Sequence, residues 1–572
     1  MLYKNNRNKK YNSFIIGMIL VTCLALNSVI GFAQPITTEI KINATKKTGP
    51  YKPIWSYFGY DEANFTTMKD GKKLLSELAA LSPSPVYVRV HNLLTTGNGK
   101  ADLKWSSTNV YTEDANGKPV YYWKIVDSIF DVFIKRGIKP IAEIGFMPEA
   151  LSEKPEPYRH HWKPGVLYDS IYTGWAYPPN DYKKWAQLIY HWVKHCVNRY
   201  GESEVKTWYW EVWNEPNIDY WKGTLQEYLT LYDYTVDAVK RAFPAAKVGG
   251  PTTTGPRWNK AADFLKEFLQ HCVDGKNYAT GKTGAPLDYI TYHAKGDPKI
   301  VNDHVQMNMA VQLQDVAKGF EIVNSFPSLK HLPVIIGEFD PEGCAACSVD
   351  FSPQNAYRNG TMYSSYIAAS FSQLYAMRKK YNVNLTGAVS WSFEFENQPW
   401  FAGFRDLSTN GVDKPVLNVF RMFGMMKGDM LEVNNSNALS LQTIIDSSVR
   451  NKPYVDALAT IDAHNMYIMV WNYHDNDNKK MNAIIKLELQ KLPAIKVTVN
   501  SYLVDEKYSN SYTLWKKMNS PQQFTEKQFN ELKKAGKLKQ NIRDKQLKVA
   551  NGTLNYQLNL AAQGVSLLKV SW

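Results

Sequence analysis

The chain has 572 residues and a formal net charge of +14, too long for one small core and pointing to a large domain with a smaller one beside it. The positive balance suits a substrate carrying carboxylate or sulfate groups, with a generic basic surface as the plain alternative. Five cysteines in so long a chain exclude a disulfide scaffold, and the absence of a zinc-spaced Cys/His cluster, a phosphate loop or a nucleic-acid motif leaves no metal, cofactor or nucleic acid among the expected partners.

Lys4, Arg7, Lys9 and Lys10 precede an apolar run from Phe14 to Leu26, and Gly31-Phe32-Ala33 offers small residues at the two positions a signal peptidase inspects. The run is too short to span a bilayer comfortably. Residues 1–33 therefore read as an export signal cleaved after Ala33, giving a periplasmic or secreted protein with no stable membrane span in its mature form. Cleavage lowers the formal charge to +10 and leaves Cys196, Cys272, Cys344 and Cys347. Cys344-Ala-Ala-Cys347 has the spacing of a small bridge, the preferred reading, against a metal site with ligands elsewhere or two free thiols.

Residues 34–52 include Ile36 to Asn43, which alternates in period two and is expected to add a strand to a C-terminal sheet. From Pro53 short apolar runs alternate with helical patterns, the signal of βα units. Eight strands are expected: Ile54 to Tyr60, Val86 to His91, Lys139 to Phe146, Trp208 to Pro216, Lys247 to Thr252, Leu287 to His293, Leu332 to Phe339 and Gly387 to Phe393. Eight closes a (β/α)₈ TIM barrel over residues 53–427. The segments between them, among them Lys69 to Leu81, Tyr182 to Tyr200 and Leu225 to Phe243, carry apolar residues at helical spacing. Lys154 to Asn180 has no period and reads as a long loop walling the pocket. Beyond Val416 to Met426, a last helix, the pattern turns to period two, with strands at Tyr467 to Tyr473, Lys496 to Val504, Thr553 to Leu560 and Val565 to Val570. Residues 428–572 thus read as a C-terminal β-sandwich, interrupted by a charged helical insert at about Thr525 to Lys545.

Barrels of this kind place their reactive groups at the C-terminal ends of the strands. There stand Arg89 and His91, Asn214 and Glu215, His293 and Lys295, Glu338 and Asp340, and Glu394. Glu215 on the fourth strand and Glu338 on the seventh face one another across the mouth, the two-carboxylate arrangement that hydrolyses glycosidic bonds. The Trp-rich strand is expected to desolvate Glu215 and raise its pKa for proton donation, while Arg89 or Tyr292 favours ionisation of Glu338. A strand-end Glu alone is more often a solvated cap, and His91 and His293 divide evenly between rim hydrogen bonding and substrate contact. Trp208, Trp210 and Trp213 read as core; Trp391 and Trp400 sit where a ring can stack on a pyranose.

The run Trp208-Tyr-Trp-Glu-Val-Trp-Asn-Glu-Pro-Asn217 resembles the signature of glycoside hydrolase family 39, which contains β-xylosidases and α-L-iduronidases, with Trp210 where the family usually has Phe. The resemblance continues in Val88 to Leu94, Leu287 to Gly296 and Gly337 to Pro341. It implies a retaining exo-glycosidase with Glu215 as acid/base, Glu338 as nucleophile, Asn214 on the sugar 2-hydroxyl, and His91 and His293 lining the first sugar subsite. His293-Ala-Lys295-Gly and Glu338-Phe-Asp340-Pro are similar to the iduronidase branch, in which the Lys helps hold a uronate carboxylate, with Arg358 as a second candidate partner. The expected partner is an oligosaccharide or polysaccharide, xylose-based, uronic-acid-containing or arabinose-containing. A carbohydrate-binding barrel without turnover is the competing reading.

Overall fold

All eight expected barrel strands form. In the computed structural model, which describes residues 35–103, 106–154, 158, 174–344, 346–391 and 393–572, they are Tyr57–Tyr60, Tyr87–Val90, Lys139–Ile144, Tyr209–Val212, Lys247–Thr253, Tyr289–Lys295, Val334–Asp340 and Leu385–Trp391. Each pairs in parallel with the next, and the eighth returns to the first to close the barrel. The runs are apolar without strict alternation because both faces are covered. Tyr57, Ile141, Tyr209, Tyr289, Ile335, Val389 and Trp391 fill the interior, while their neighbours Phe58, Ala142, Trp210, Ile290, Ile336 and Ala388 join the larger core beneath the helices.

The helices stop and start where side chains satisfy their ends. Asp181 accepts from the backbone of Lys183 and Lys184 to open Tyr182–Tyr200, which ends at Gly201 with φ 86. Thr224 and Glu227 form a capping box at Leu225–Ala242. Among the described residues no helix is long and apolar enough to cross a membrane. The segment expected to carry an export signal, and most of the Lys154 to Asn180 loop, lie outside the described residues. Of that loop, Tyr158 donates to the Met147 carbonyl at 2.6 Å and Trp175 packs 4.7 Å from Phe146.

The C-terminal region is a single nine-stranded sheet, mostly antiparallel, and Ile36–Pro50 belongs to it. That N-terminal strand pairs antiparallel with Asp429–Asn435 and parallel with Ala483–Gln490. Period two sorts the two faces. Val455, Ala457 and Ala459 with Met466, Ile468 and Val470 point into the sheet's own core, to which all nine strands contribute. Tyr454 and Leu458 with Tyr467, Met469 and Trp471 point the other way and join the barrel's core.

The expected helical insert is shorter than the charge pattern implied. Glu526–Gly536 is helical behind a Thr525/Gln528 capping box, but Lys539–Lys548 is a strand at the sheet edge. Its charges are those of an edge strand, where Lys and Arg discourage further pairing. With Ser511–Lys517 the helix reaches back to the barrel: Ser511 donates to the Asp413 carbonyl at 2.6 Å and Asn418 to the Gly536 carbonyl at 2.7 Å.

Gly428 joins the last barrel helix to the sheet. It sits at φ 82, and a Cβ there would lie 1.9 Å from the Ile461 carbonyl oxygen. Gly428→Ala is expected to destabilise the protein by about 1–3 kcal/mol, read as a lower urea midpoint at unchanged slope.

Candidate active site

Two backbone irregularities aim the carboxylates. Along the seventh strand Ile335 faces the interior and Ile336 the helices, so regular alternation would send residue 338 outward. The register slips between Ile336 and Glu338, leaving Gly337 unpaired and setting Glu338 opposite His293. This bulge turns Glu338 into the barrel. On the fourth strand Trp213 and Glu215 both adopt left-handed backbone, at φ 68 and 46, a conformation that costs non-glycine residues energy and persists only where the surroundings hold it. Here the Trp213 N–H donates to the Ile144 carbonyl at 3.2 Å and the Glu215 N–H to the Thr252 carbonyl at 2.9 Å. Trp213 is thereby folded into the core and Glu215 out over the mouth.

One oxygen of each carboxylate lies within 4.8 Å of the other. Lys295 stands between them, its Nζ 3.2 Å from Glu215 Oε1 and 2.7 Å from Glu338 Oε2. His293 donates through Nδ1 to Glu215 Oε1 at 2.8 Å. With His293 the two carboxylates have donor atoms close enough to hold a metal ion, but the positive charge in this group is already supplied by the Lys295 ammonium.

Beneath them the Arg89 guanidinium is fully buried. It reaches Glu211 at 2.5 Å, Glu143 at 3.2 Å and Glu338 at 3.4 Å, donates to Asn214 Oδ1 at 3.0 Å, and lies 5.0 Å from the Trp391 ring centre. His91 is held between Asp61 Oδ1 at 2.9 Å and Glu143 Oε2 at 2.8 Å.

The charges set the proton positions. Burial pushes Glu215 upward, but Lys295 and His293 outweigh it and hold the acid below the usual carboxylate range. Glu338 is likewise held well below the carboxylate range against burial, by His293, Lys295 and Arg89. The expectation of a raised Glu215 is thus corrected for the free enzyme: the tryptophans do desolvate it, but an ammonium stands 3.2 Å away. For His91 burial disfavours the charge, yet Glu143 and Asp61 prevail and raise it to about 9. For His293 burial prevails and lowers the pKa, while its Nδ1 carries the proton donated to Glu215.

Glu215, Glu338, His91, Asn214, His293, Lys295 and Arg89 therefore converge. Tyr292 does not: His293 faces inward, so its neighbour faces the helices, where the Tyr292 hydroxyl donates to the Val316 carbonyl at 3.1 Å. Asp340 is inward but covered, accepting from the Trp391 backbone at 2.8 Å and pairing with Arg405 at 3.0 Å; it braces the eighth strand and has no exposed surface to offer a sugar. Trp391 is 2% exposed because its ring packs against both Arg89 and His91, so it is no open platform. Trp400 belongs with Phe524 of the insert, Glu394 accepts from Ser408, and Arg358 pairs with Glu342. Cys344 and Cys347 are joined as a disulfide. Glu143, Glu211 and Asp61 were missed from sequence. The first two lie in phase with inward-facing Ile141 and Tyr209, a signal that strand periodicity carries once the barrel is assumed.

The family model of Glycosyl hydrolases family 39 matches residues 38–552. A β-xylosidase of Geobacillus stearothermophilus is 25% identical over 496 residues, 85% of this chain and 86% of that protein. An α-L-iduronidase of Mus musculus is 25% identical over 377 residues, 61% of this chain and 56% of that protein. A solved structure of a bacterial orthologue of human α-L-iduronidase shares the fold with a TM-score of 0.74 at 19% identity, covering 94% of this chain and 84% of that one.

Two titrations check this electrostatic arrangement. Lys295→Gln leaves two buried carboxylates without their shared cation, and the apparent pKa of the pair in the free enzyme is expected to rise by about one unit or more, followed by carbon NMR of labelled Glu. His91 gains its proton on folding, so its stabilisation is fully present below its unfolded pKa of about 6.5 and is lost as pH rises through about 9. Wild-type stability should fall between those values more steeply than that of His91→Asn, measured by urea unfolding.

Proposed function

The chain belongs to Glycosyl hydrolases family 39, and on that premise we propose that it is an exported, retaining exo-glycosidase that removes a terminal sugar from a xylose-based or uronic-acid-containing glycan. The observation that carries this reading is the pair Glu215 and Glu338, with oxygens within 4.8 Å of each other. Retaining enzymes keep their carboxyl groups about 5 Å apart, whereas inverting ones leave about 6.5–9.5 Å for a water.

In the first step the Glu338 carboxylate attacks the anomeric carbon, the bond to the leaving oxygen breaks, and that oxygen takes the proton of Glu215. In the second, Glu215 accepts a proton from water, the water oxygen bonds to the anomeric carbon, and Glu338 is released. Asn214 has its oxygen committed to Arg89, which turns its NH₂ toward the sugar hydroxyls.

Glu215 must be protonated to begin, although Lys295 holds it ionised in the free enzyme. Lys295 is the movable member of the group: its side chain is 22% exposed while that of His293 is 0%. A sugar seated between the carboxylates displaces the ammonium from Glu215. What then remains is burial and the Glu338 charge, both of which raise the Glu215 pKa, opposed only by the hydrogen bond from His293. Once Glu338 is esterified its charge is gone, and Glu215 can act as base. A substrate carboxylate gives the displaced ammonium a new partner in a buried site, which supports the uronide reading. The longer match to a β-xylosidase supports the xyloside reading.

Glu338→Ala should abolish hydrolysis of an aryl glycoside, and azide should restore turnover with inverted product, read by NMR of the anomer. Full activity in that variant would sink the nucleophile assignment. Lys295→Ala separates the substrates: on a uronide it should lower kcat/KM about tenfold or more beyond its effect on the matching neutral glycoside, and equal losses on both would remove the carboxylate from its role.

A further inference from the structure

The loop after the eighth barrel strand and the helical insert of the C-terminal sheet enclose an open groove of about 850 Å³. Its opposite wall is Met68–Asp70, the start of the first barrel helix. Both walls leave the barrel on the face that carries Glu215 and Glu338, since helices of this fold begin where strands end.

Trp400 is a half-buried ring in that groove. Phe524 and Phe529 meet it nearly at right angles, with ring centres 4.7 and 6.1 Å away, and its backbone N–H donates to Gln522 Oε1 at 2.8 Å. The loop is fixed again by Asn410, which accepts from the Asn397 N–H at 3.1 Å and donates to the Gln398 carbonyl at 2.9 Å. These bonds use backbone groups of 397 and 398, and the side-chain amides of Asn397 and Gln398 have no hydrogen-bond partner among the described residues. Glu396, 7% exposed, accepts the Asp70 N–H through Oε1 and so ties the start of the first barrel helix to the loop.

Packing accounts for the Trp400 ring but not for the two amides beside it, which have no partner among the described residues. Amides both donate and accept and so match vicinal hydroxyls, and an indole suits the apolar face of a sugar ring. Lys69 beside Asp70 and Glu396 leaves the groove without the basic stripe that a nucleic-acid backbone needs.

We propose that this groove holds the part of the glycan beyond the sugar being cleaved, laid against Trp400 and hydrogen-bonded by Asn397 and Gln398. The assignment rests on the glycosidase reading and extends it, giving the C-terminal region a share in substrate choice.

Calorimetry on full-length Glu338→Gln, which cannot turn substrate over, provides the test, with hexasaccharides of xylan, glucuronoxylan and a glycosaminoglycan as probes. At least one should bind, and adding Trp400→Ala or the exposed-site change Asn397→Ala should weaken it by about tenfold. The proposal is overturned if both variants bind as tightly as the parent, or if no hexasaccharide binds better than its terminal monosaccharide. Kinetics keep the two readings apart. In the otherwise wild-type enzyme, Trp400→Ala should lower kcat/KM on the hexasaccharide more than on an aryl monoglycoside, and equal losses strike the groove alone. Groove-dependent binding by an enzyme that cleaves no glycoside strikes the activity and leaves the groove standing.

Discussion

The guanidinium of Arg89 is the group on which the site depends. Carried on the second barrel strand, it is fully buried and touches Glu143 on the third, Glu211 at 2.5 Å on the fourth, Glu338 at 3.4 Å on the seventh and the Trp391 ring on the eighth. Burying a cation is costly, and the cost is met only if its partners stay in place. The same condition fixes those partners. Asn214 and Glu338 are therefore positioned by an interaction that also ties the second barrel strand to the third, fourth, seventh and eighth.

A second cation, Lys295, works on a different principle. It bridges Glu215 and Glu338 but keeps contact with solvent, so it neutralises the pair at rest and can yield to a sugar. The loop after the seventh strand lies beside it: a Cβ on Gly343 would stand 3.7 Å from the Lys295 stem. That loop is gripped from behind by Arg405, which bonds the Glu342 and Gly343 carbonyls, and by Arg358 on Glu342 and the Cys347 carbonyl. The disulfide at Cys344 and Cys347 closes the same turn. Rigid charge pairs thus surround one adjustable charge.

The strands and helices of the barrel were legible because a parallel sheet covered on both faces demands continuous apolar runs, and its helices demand a period near 3.6. Glu215 and Glu338 were legible as strand-end carboxylates. Tyr292 and Asp340 were misread because nearness to a strand end does not decide which way a side chain points: Tyr292 is out of phase with His293, and Asp340 is in phase but covered by Arg405. The edge strand Lys539–Lys548 was misread as helix because only Ile542 and Leu547 pack on the sheet core, and their spacing of five, across a register shift in the pairing, breaks the period of two.

By itself the sequence determined the eight strands, their order along the chain, and which two carboxylates the fourth and seventh would deliver, since apolar periodicity and chain order are local properties. The tertiary structure decided the rest. A bulge at Gly337 and left-handed backbone at Trp213 and Glu215 set where the carboxylates point, and these are held by contacts from other strands. The protonation of Glu215 was likewise beyond the sequence, because it depends on the sum of burial and the Lys295 charge, two opposed effects whose balance is fixed by distances across the barrel.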